Sequence, residues 1–253
     1  MSENVQFDTL KGQVAIVVGG SGGIGSETCR LLAQSGATVV IGYRSGEAKA
    51  REIAEALPGS GHIALRVSIE DTSSIQAFCA AALSACGRAD ILVNAAGVTK
   101  PVPHADLDAL TDEIIDQVFV SNWRGVFATI RAFAPALAAN GHGLIVNVSS
   151  IAAFTGIGSN IAYCGAKAGL DTMTNSLGRA LAPAVRVMAV SPGVVDTEFV
   201  PGRGQEFKDK AAAATPLKRL TTPTDVAEAI LACATHLKFS TGARIIVDGG
   251  RHL

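Results

Sequence analysis

Tyr163 and Lys167 close a Tyr-Cys-Gly-Ala-Lys pentad. Four residues apart on a helix, the two side chains share one face, so a phenol and an ammonium project side by side. An isolated tyrosine titrates near ~10 and is a poor acid or base at neutral pH. A neighbouring cation favours the phenolate and lowers that value, which fits the pair to give a proton to a reacting oxygen or take one from it. The bland alternative is an amphipathic helix with a solvated lysine. Against it, tyrosine occurs only at Tyr43 and Tyr163.

A second chemical feature lies far upstream. The apolar run Val14–Val18 leads into Gly19-Gly20-Ser21-Gly22-Gly23-Ile24-Gly25 and then into a helical pattern. Glycines let backbone approach a phosphate, and the following helix N-terminus offers free N–H groups and positive dipole to the anion. The spacing is G-x-x-x-G-x-G, and without a Lys-Ser/Thr it is no nucleotide-hydrolysing loop. The same residues also match G-x-S-x-G, a hydrolase nucleophile elbow. In that rival, Ser21 is the nucleophile of an esterase, with Asp225 or Asp248 and His236 or His252 as partners. Its position on the first strand leaves no preceding strand-loop for an oxyanion hole. For a bound dinucleotide, the second run ends in Tyr43-Arg44-Ser45, with no carboxylate before Glu47. Arg44 and Ser45 offer a cation and a hydroxyl to a ribose 2′-phosphate, so NADP(H) is the expected cofactor and NAD(H) the second choice.

These features need a scaffold. The 253 residues are 48% hydrophobic with net charge -1, enough for a large core and without electrostatic reason to bind nucleic acid or an anionic membrane. Five scattered cysteines and five scattered histidines show no metal-ligand spacing; reduced thiols and a cytoplasmic location are expected. No leader pattern opens the chain and no apolar run reaches membrane-spanning length. Val- and Ile-rich runs at Val14–Val18, Thr38–Ile41, Ile63–Val67, Ile91–Val93, Leu144–Val148, Val185–Val190 and Ala243–Val247 read as strands covered on both faces. Helical patterns fall near 24–35, 46–57, 72–86, 111–139, 162–182 and 223–236. The alternation predicts a single α/β domain, a doubly wound, Rossmann-type parallel sheet of seven strands with helices on both faces. The stretch 194–222, rich in Pro and Gly, fits neither pattern and is expected to be a substrate lid. The stripe Val126, Ile130, Phe133 and Leu137 suits either a subunit interface or the core.

Taken in order, the motifs resemble the short-chain dehydrogenase/reductase family from Gln13 to about Gly250. Val18–Gly25 resembles T-G-x-x-x-G-x-G, with Val18 for threonine. Asn94-Ala95-Ala96-Gly97 resembles N-N-A-G, with Ala95 for the second asparagine. Asn122 falls at the family's helix asparagine, Ser150 at its catalytic serine, and Pro192-Gly193-Val194-Val195-Asp196-Thr197 resembles P-G-x-x-x-T. Ser68 stands where an aspartate usually meets the adenine, and Met188 replaces an asparagine. The resemblance implies a catalytic set of Asn122, Ser150, Tyr163 and Lys167. For the cofactor it implies Gly19, Ser21, Gly23, Ile24, Gly25, Arg44, Ser45, Ser68, Ile69, Asn94, Ala95, Gly97, Pro192, Gly193, Val195 and Thr197, with Tyr163 and Lys167 on the ribose. It implies hydride transfer between nicotinamide and a carbonyl or secondary alcohol, a homotetramer, and a look close to β-ketoacyl-acyl-carrier-protein reductases. Ala152, Phe154, Phe199 and Val200 are expected around the substrate. A non-catalytic, dinucleotide-sensing protein on the same fold is the other alternative.

Overall fold

A computed structural model describes residues 9–202 and 204–253. The first eight residues, where no leader is expected, and Arg203 of the expected lid lie outside the described residues. Seven strands form one sheet: β1 (Val14–Val18), β2 (Thr38–Tyr43), β3 (Ile63–Arg66), β4 (Ile91–Asn94), β5 (Gly143–Val148), β6 (Val185–Pro192) and β7 (Ala243–Val247). Their order is β3-β2-β1-β4-β5-β6-β7, and every pairing is parallel. The helices are α1 (Gly23–Gln34), α2 (Glu47–Ala56), α3 (Thr72–Cys86), α4 (Asp112–Phe119), α5 (Gly125–Ala139), α6 (Ala152–Thr155), α7 (Ile161–Ala180), α8 (Gln205–Ala214) and α9 (Pro223–Thr235).

The absence of period-2 alternation in the central strands has a direct cause: both faces are covered. In β1, Ala15 and Val17 join Leu32 of α1 and Ile230 of α9 on one side. Val14, Ile16 and Val18 join Phe78 of α3, Phe133 of α5 and Leu170 of α7 on the other. Val126, Ile130 and Leu137 lie in that second cluster with Phe133, so their stripe is core. The edges depart from the expected pattern. In β7, Arg244 and Ile246 are exposed between partly buried neighbours, because this strand has sheet on one side only and one face reaches solvent.

Two further expectations change. The helix expected over 111–139 is broken by a π-helical segment, Val120–Arg124, between α4 and α5. The segment is held against the loop after β3, where Ser121 Oγ donates to Glu70 Oε1 at 2.9 Å and Arg124 Nη2 to the Glu70 carbonyl at 2.8 Å. Gly125 follows so close to the Ile69 carbonyl that no side chain fits between them. The stretch 194–222 is not structureless either. It holds α8, and a bridge between Val195 and Thr221 closes its base.

The topology fixes where a ligand can sit. From β3, at one edge, the chain crosses back to place β4 on the other side of β1. That reversal opens a crevice beyond the carboxyl ends of β1 and β4.

Candidate active site

A cleft of about 1310 Å³ runs along the carboxyl ends of the strands. Gly19, Ser21, Gly23, Ile24 and Gly25 form its floor at β1, and Arg44, Ser45 and Ile69 lie beyond β2 and β3. Ala95 and Gly97 follow β4; Ser150 follows β5; Pro192 ends β6, and Gly193, Val195 and Thr197 follow it. Tyr163 and Lys167 enter from α7, and Ala152, Phe154, Phe199 and Val200 wall the far end. Asn94, Ser68 and Asn122 stand behind this wall. Asn94 Nδ2 donates to Asn147 Oδ1 at 3.0 Å, and Asn147 Nδ2 to Thr174 Oγ1 at 3.0 Å, a buried polar link from β4 through β5 to α7. The Ser68 hydroxyl donates to Glu70.

The glycine loop is shaped by backbone contact. Gly19 has φ +83, and a Cβ there would lie 2.7 Å from the Ala96 nitrogen. The Gly19 and Gly20 N–H groups both donate to the Gly42 carbonyl, at 2.9 and 3.0 Å, tying the loop to β2. Gly22 caps α1 without a side chain, and the first turn carries no acid. The N–H groups at the helix start therefore face the cleft with their dipole uncompensated, a donor set suited to a diphosphate.

Around the pentad, Asn160 sets the start of α7. Its Oδ1 accepts the Tyr163 N–H at 2.6 Å, while its Nδ2 donates to the Lys100 carbonyl at 2.8 Å. Lys167 Nζ lies 5.7 Å from the Tyr163 ring centre and donates to the Val148 carbonyl at 2.7 Å. The two adjacent serines are distinguished. Ser149 is buried, with its hydroxyl 3.5 Å from the Lys167 carbonyl, whereas Ser150 is half-buried on the cleft and its Oγ accepts the Ala152 N–H at 3.1 Å. Asn122, wholly buried in the π segment, donates through Nδ2 to Val98 and Val118 carbonyls at 2.8 and 2.9 Å. Its Oδ1 has no partner among the described residues.

Burial lowers the Lys167 ammonium from its ordinary 10.5 to about 8, against a smaller opposing pull from Asp171. The folded chain then binds fewer protons than the unfolded chain between about pH 8 and 10.5, so this group makes unfolding free energy rise across that window. Below pH 8 the whole penalty of burying the cation is present. Relative to Lys167→Met, the wild type should therefore gain about 3 kcal/mol between pH 7 and pH 10.5. Urea unfolding of both proteins at the two pH values measures the difference; parallel curves would mean Lys167 titrates normally.

Beyond β2, Arg44 extends into solvent 3.3 Å from Glu70, and Lys49 lines the same wall. Glu47, the first carboxylate after β2, is drawn aside by Arg51 at 2.6 Å. Lys49, Glu70, Glu198 and Arg251 on the cleft wall were absent from the expected site, and His252 was expected only as a partner in the esterase rival. Only the C-terminal return brings Arg251 and His252 there, and no local pattern marks it. Asp248 and His252 do pair, Oδ2 to Nδ1 at 2.7 Å, but after β7. Ser21 follows β1, four strand positions away, roughly 19 Å at about 4.8 Å per strand. No hydrogen bond joins Ser21 to a histidine among the described residues, so the esterase constellation is not assembled. Among the same residues, no group of three or more His, Cys, Asp or Glu side chains is placed to hold a metal ion, and no helix is long and apolar enough to cross a membrane.

Comparison with known proteins places this geometry among relatives. The family model described as enoyl-(acyl carrier protein) reductase matches residues 18–252. The chain is 36% identical over 250 residues to a protein named for ketoacyl reductase 2 of the granaticin polyketide synthase in Streptomyces violaceoruber, covering 97% of this chain and 98% of that one. It is 37% identical over 243 residues to cis-4-hydroxycyclohexanecarboxylate dehydrogenase of Sinomonas cyclohexanicum, covering 94% and 96%. A crystal structure of a dehydrogenase/reductase from Sinorhizobium meliloti 1021 superposes with a TM-score of 0.87 at 31% identity, over 98% of both chains.

Proposed function

This chain belongs to the short-chain dehydrogenase/reductase family of nicotinamide-using oxidoreductases that act on carbonyl and alcohol groups, and we propose that it is an NADP(H)-dependent member with Tyr163 as general acid and base. One observation carries the reading: a single cleft gathers the glycine loop, Ser150, Tyr163 and Lys167. When bound, the nicotinamide supplies or accepts the hydride, chemistry that no side chain provides. Gly19 to Gly25 and the start of α1 hold the diphosphate. Val195 and Thr197 grip the carboxamide, and Val148 and Pro192 shape the ring's seat. The Ser150 hydroxyl donates to the substrate oxygen and polarises the carbonyl. Tyr163 gives its phenolic proton to that oxygen in reduction and takes it back in oxidation. The Lys167 cation steadies the phenolate that remains, and the open Oδ1 of Asn122 suits a water-borne proton relay from Lys167.

The ketoacyl and hydroxycyclohexanecarboxylate names of two relatives support 3-oxoacyl or hydroxy-acid substrates. The stretch 194–222 acts as lid. Phe119, Trp123 and Phe127, half-exposed along one side of the α4–α5 unit, with the last two rings stacked, support a homotetramer. The free thiols suit the reducing cytoplasm.

Assay of reduced-nicotinamide absorbance with a panel of oxo and hydroxy acids and both dinucleotides tests the reading; no turnover with any pair removes it. Arg44→Asp should weaken NADPH binding by roughly 10- to 100-fold, through loss of a charged hydrogen bond and gain of repulsion, with little effect on NADH. Equal losses for both dinucleotides would reject a 2′-phosphate role for Arg44.

A further inference from the structure

At the substrate end of the cleft, beyond Tyr163 and Ser150, the chain returns after β7 and presents Arg251 and His252 to the interior. We propose that Arg251, with His252 beside it, is an anion-binding subsite for a carboxylate or phosphate group carried by the substrate. The inference rests on the oxidoreductase reading of the cleft and adds a charge requirement to it.

The turn that delivers these residues is built firmly. Asp248 is buried, and its oxygens accept the Gly250 N–H at 2.9 Å, the His252 N–H at 2.8 Å and the His252 ring Nδ1 at 2.7 Å. The His252 ring is further held edge-on by Phe154, 5.6 Å between centres. Phe154 in turn lies under the Arg244 guanidinium at 4.2 Å, and Arg244 pairs with Asp171 at 2.7 Å. With Nδ1 committed to Asp248, Nε2 has no hydrogen-bond partner among the described residues and is a donor when the ring is protonated.

Arg251 is anchored differently. Its Nη1 donates to the Ala211 carbonyl of α8 at 2.9 Å, which leaves most of its donors uncommitted. No carboxylate lies within ion-pair distance of it among the described residues. The other charges on the wall differ. Arg44 is paired with Glu70 at the opposite end, and Asp196 is neutralised by Lys208 at 2.6 Å. Glu198, on the loop after β6, has no ion-pair partner among the described residues, but it is exposed to solvent, where its field is screened. A half-buried guanidinium with free donors, on a cleft wall that also carries apolar Phe154 and Ile157, thus gives the substrate end a cation suited to an anion.

Two matched substrate pairs test this: a 3-oxo carboxylic acid with its methyl ester, and one 3-oxoacyl thioester on 4′-phosphopantetheine or on pantetheine. Arg251→Gln should lower kcat/KM for the anionic member of one pair roughly 10- to 100-fold relative to its neutral partner. Whichever pair responds identifies the anion as carboxylate or phosphate. Arg251→Lys should retain part of the preference, and His252→Gln should reduce it less than Arg251→Gln. Because Arg251 also tethers α8, damage to the lid would lower both members together; equal losses, or no change in either ratio, overturn the subsite. Titration calorimetry of the same pairs reads the subsite without turnover. A preference for the anion that vanishes in Arg251→Gln, in a protein that reduces none of the four, would sink the oxidoreductase reading and leave the subsite standing.

Discussion

Tyr163→Phe should lower turnover by roughly 10²- to 10⁴-fold, the usual contribution of a positioned general acid, with cofactor affinity nearly unchanged. The substitution removes one hydroxyl and keeps the ring. The backbone of residue 163 remains capped by Asn160, and the Phe199 ring, 6.2 Å away and tilted, still has an aromatic face to pack on. Lys167 keeps its bond to the Val148 carbonyl, so the buried cation is not orphaned. On the proposed role of Tyr163, what is lost is the proton it would give to the substrate oxygen. Steady-state rates together with fluorescence titration of the reduced dinucleotide separate chemistry from binding. A phenylalanine variant within tenfold of wild-type turnover would place the proton donor elsewhere, with Ser150 the next group to test.

Gly25→Ala should raise the dissociation constant for the dinucleotide roughly 10- to 100-fold and lower the melting temperature by several degrees. A Cβ at position 25 meets the Gly19 carbonyl, which is backbone rather than a yielding side chain. Gly19 cannot retreat. On its other side stand the Ala95–Ala96 backbone atoms, and its N–H is fixed to Gly42. Relieving the clash therefore shifts either the phosphate-facing loop or the start of α1, at about 1–3 kcal/mol. For a chain of this size, each 1 kcal/mol corresponds to about 2–4 °C. Gly204→Ala is the control, since a Cβ there meets nothing within 4 Å. Equal cofactor affinity in Gly25→Ala and wild type would mean that the loop does not contact the diphosphate.

Much of the scaffold was written locally. A Val- and Ile-rich run such as Val14–Val18 reads as strand because both of its faces take apolar neighbours, and the amphipathic stretch 223–236 reads as helix from its apolar spacing, to which the folded chain adds a capping box between Thr222 and Asp225. Where cover was one-sided the reading weakened: β7 shares the composition of a buried strand but lies at the edge. The π segment at 120–124 was invisible because its cause, Ser121 and Arg124 bound to Glu70, joins residues 51 and 54 positions apart.

The division between sequence and tertiary structure follows the range of the forces. Types and spacings alone determined the phenol beside an ammonium on one helix face, the glycine loop before a helix, and the alternation of strands and helices, because each depends on neighbours within a turn or two. Only the folded chain decided that Ser149 is buried against the Lys167 backbone while Ser150 stays partly open, that Val126, Ile130, Phe133 and Leu137 belong to the core, that Glu70 sits against Arg44, and that Arg251 and His252 return to the cleft wall. Those outcomes depend on strand order and on contacts between residues distant in sequence, where burial and hydrogen bonding must be satisfied together.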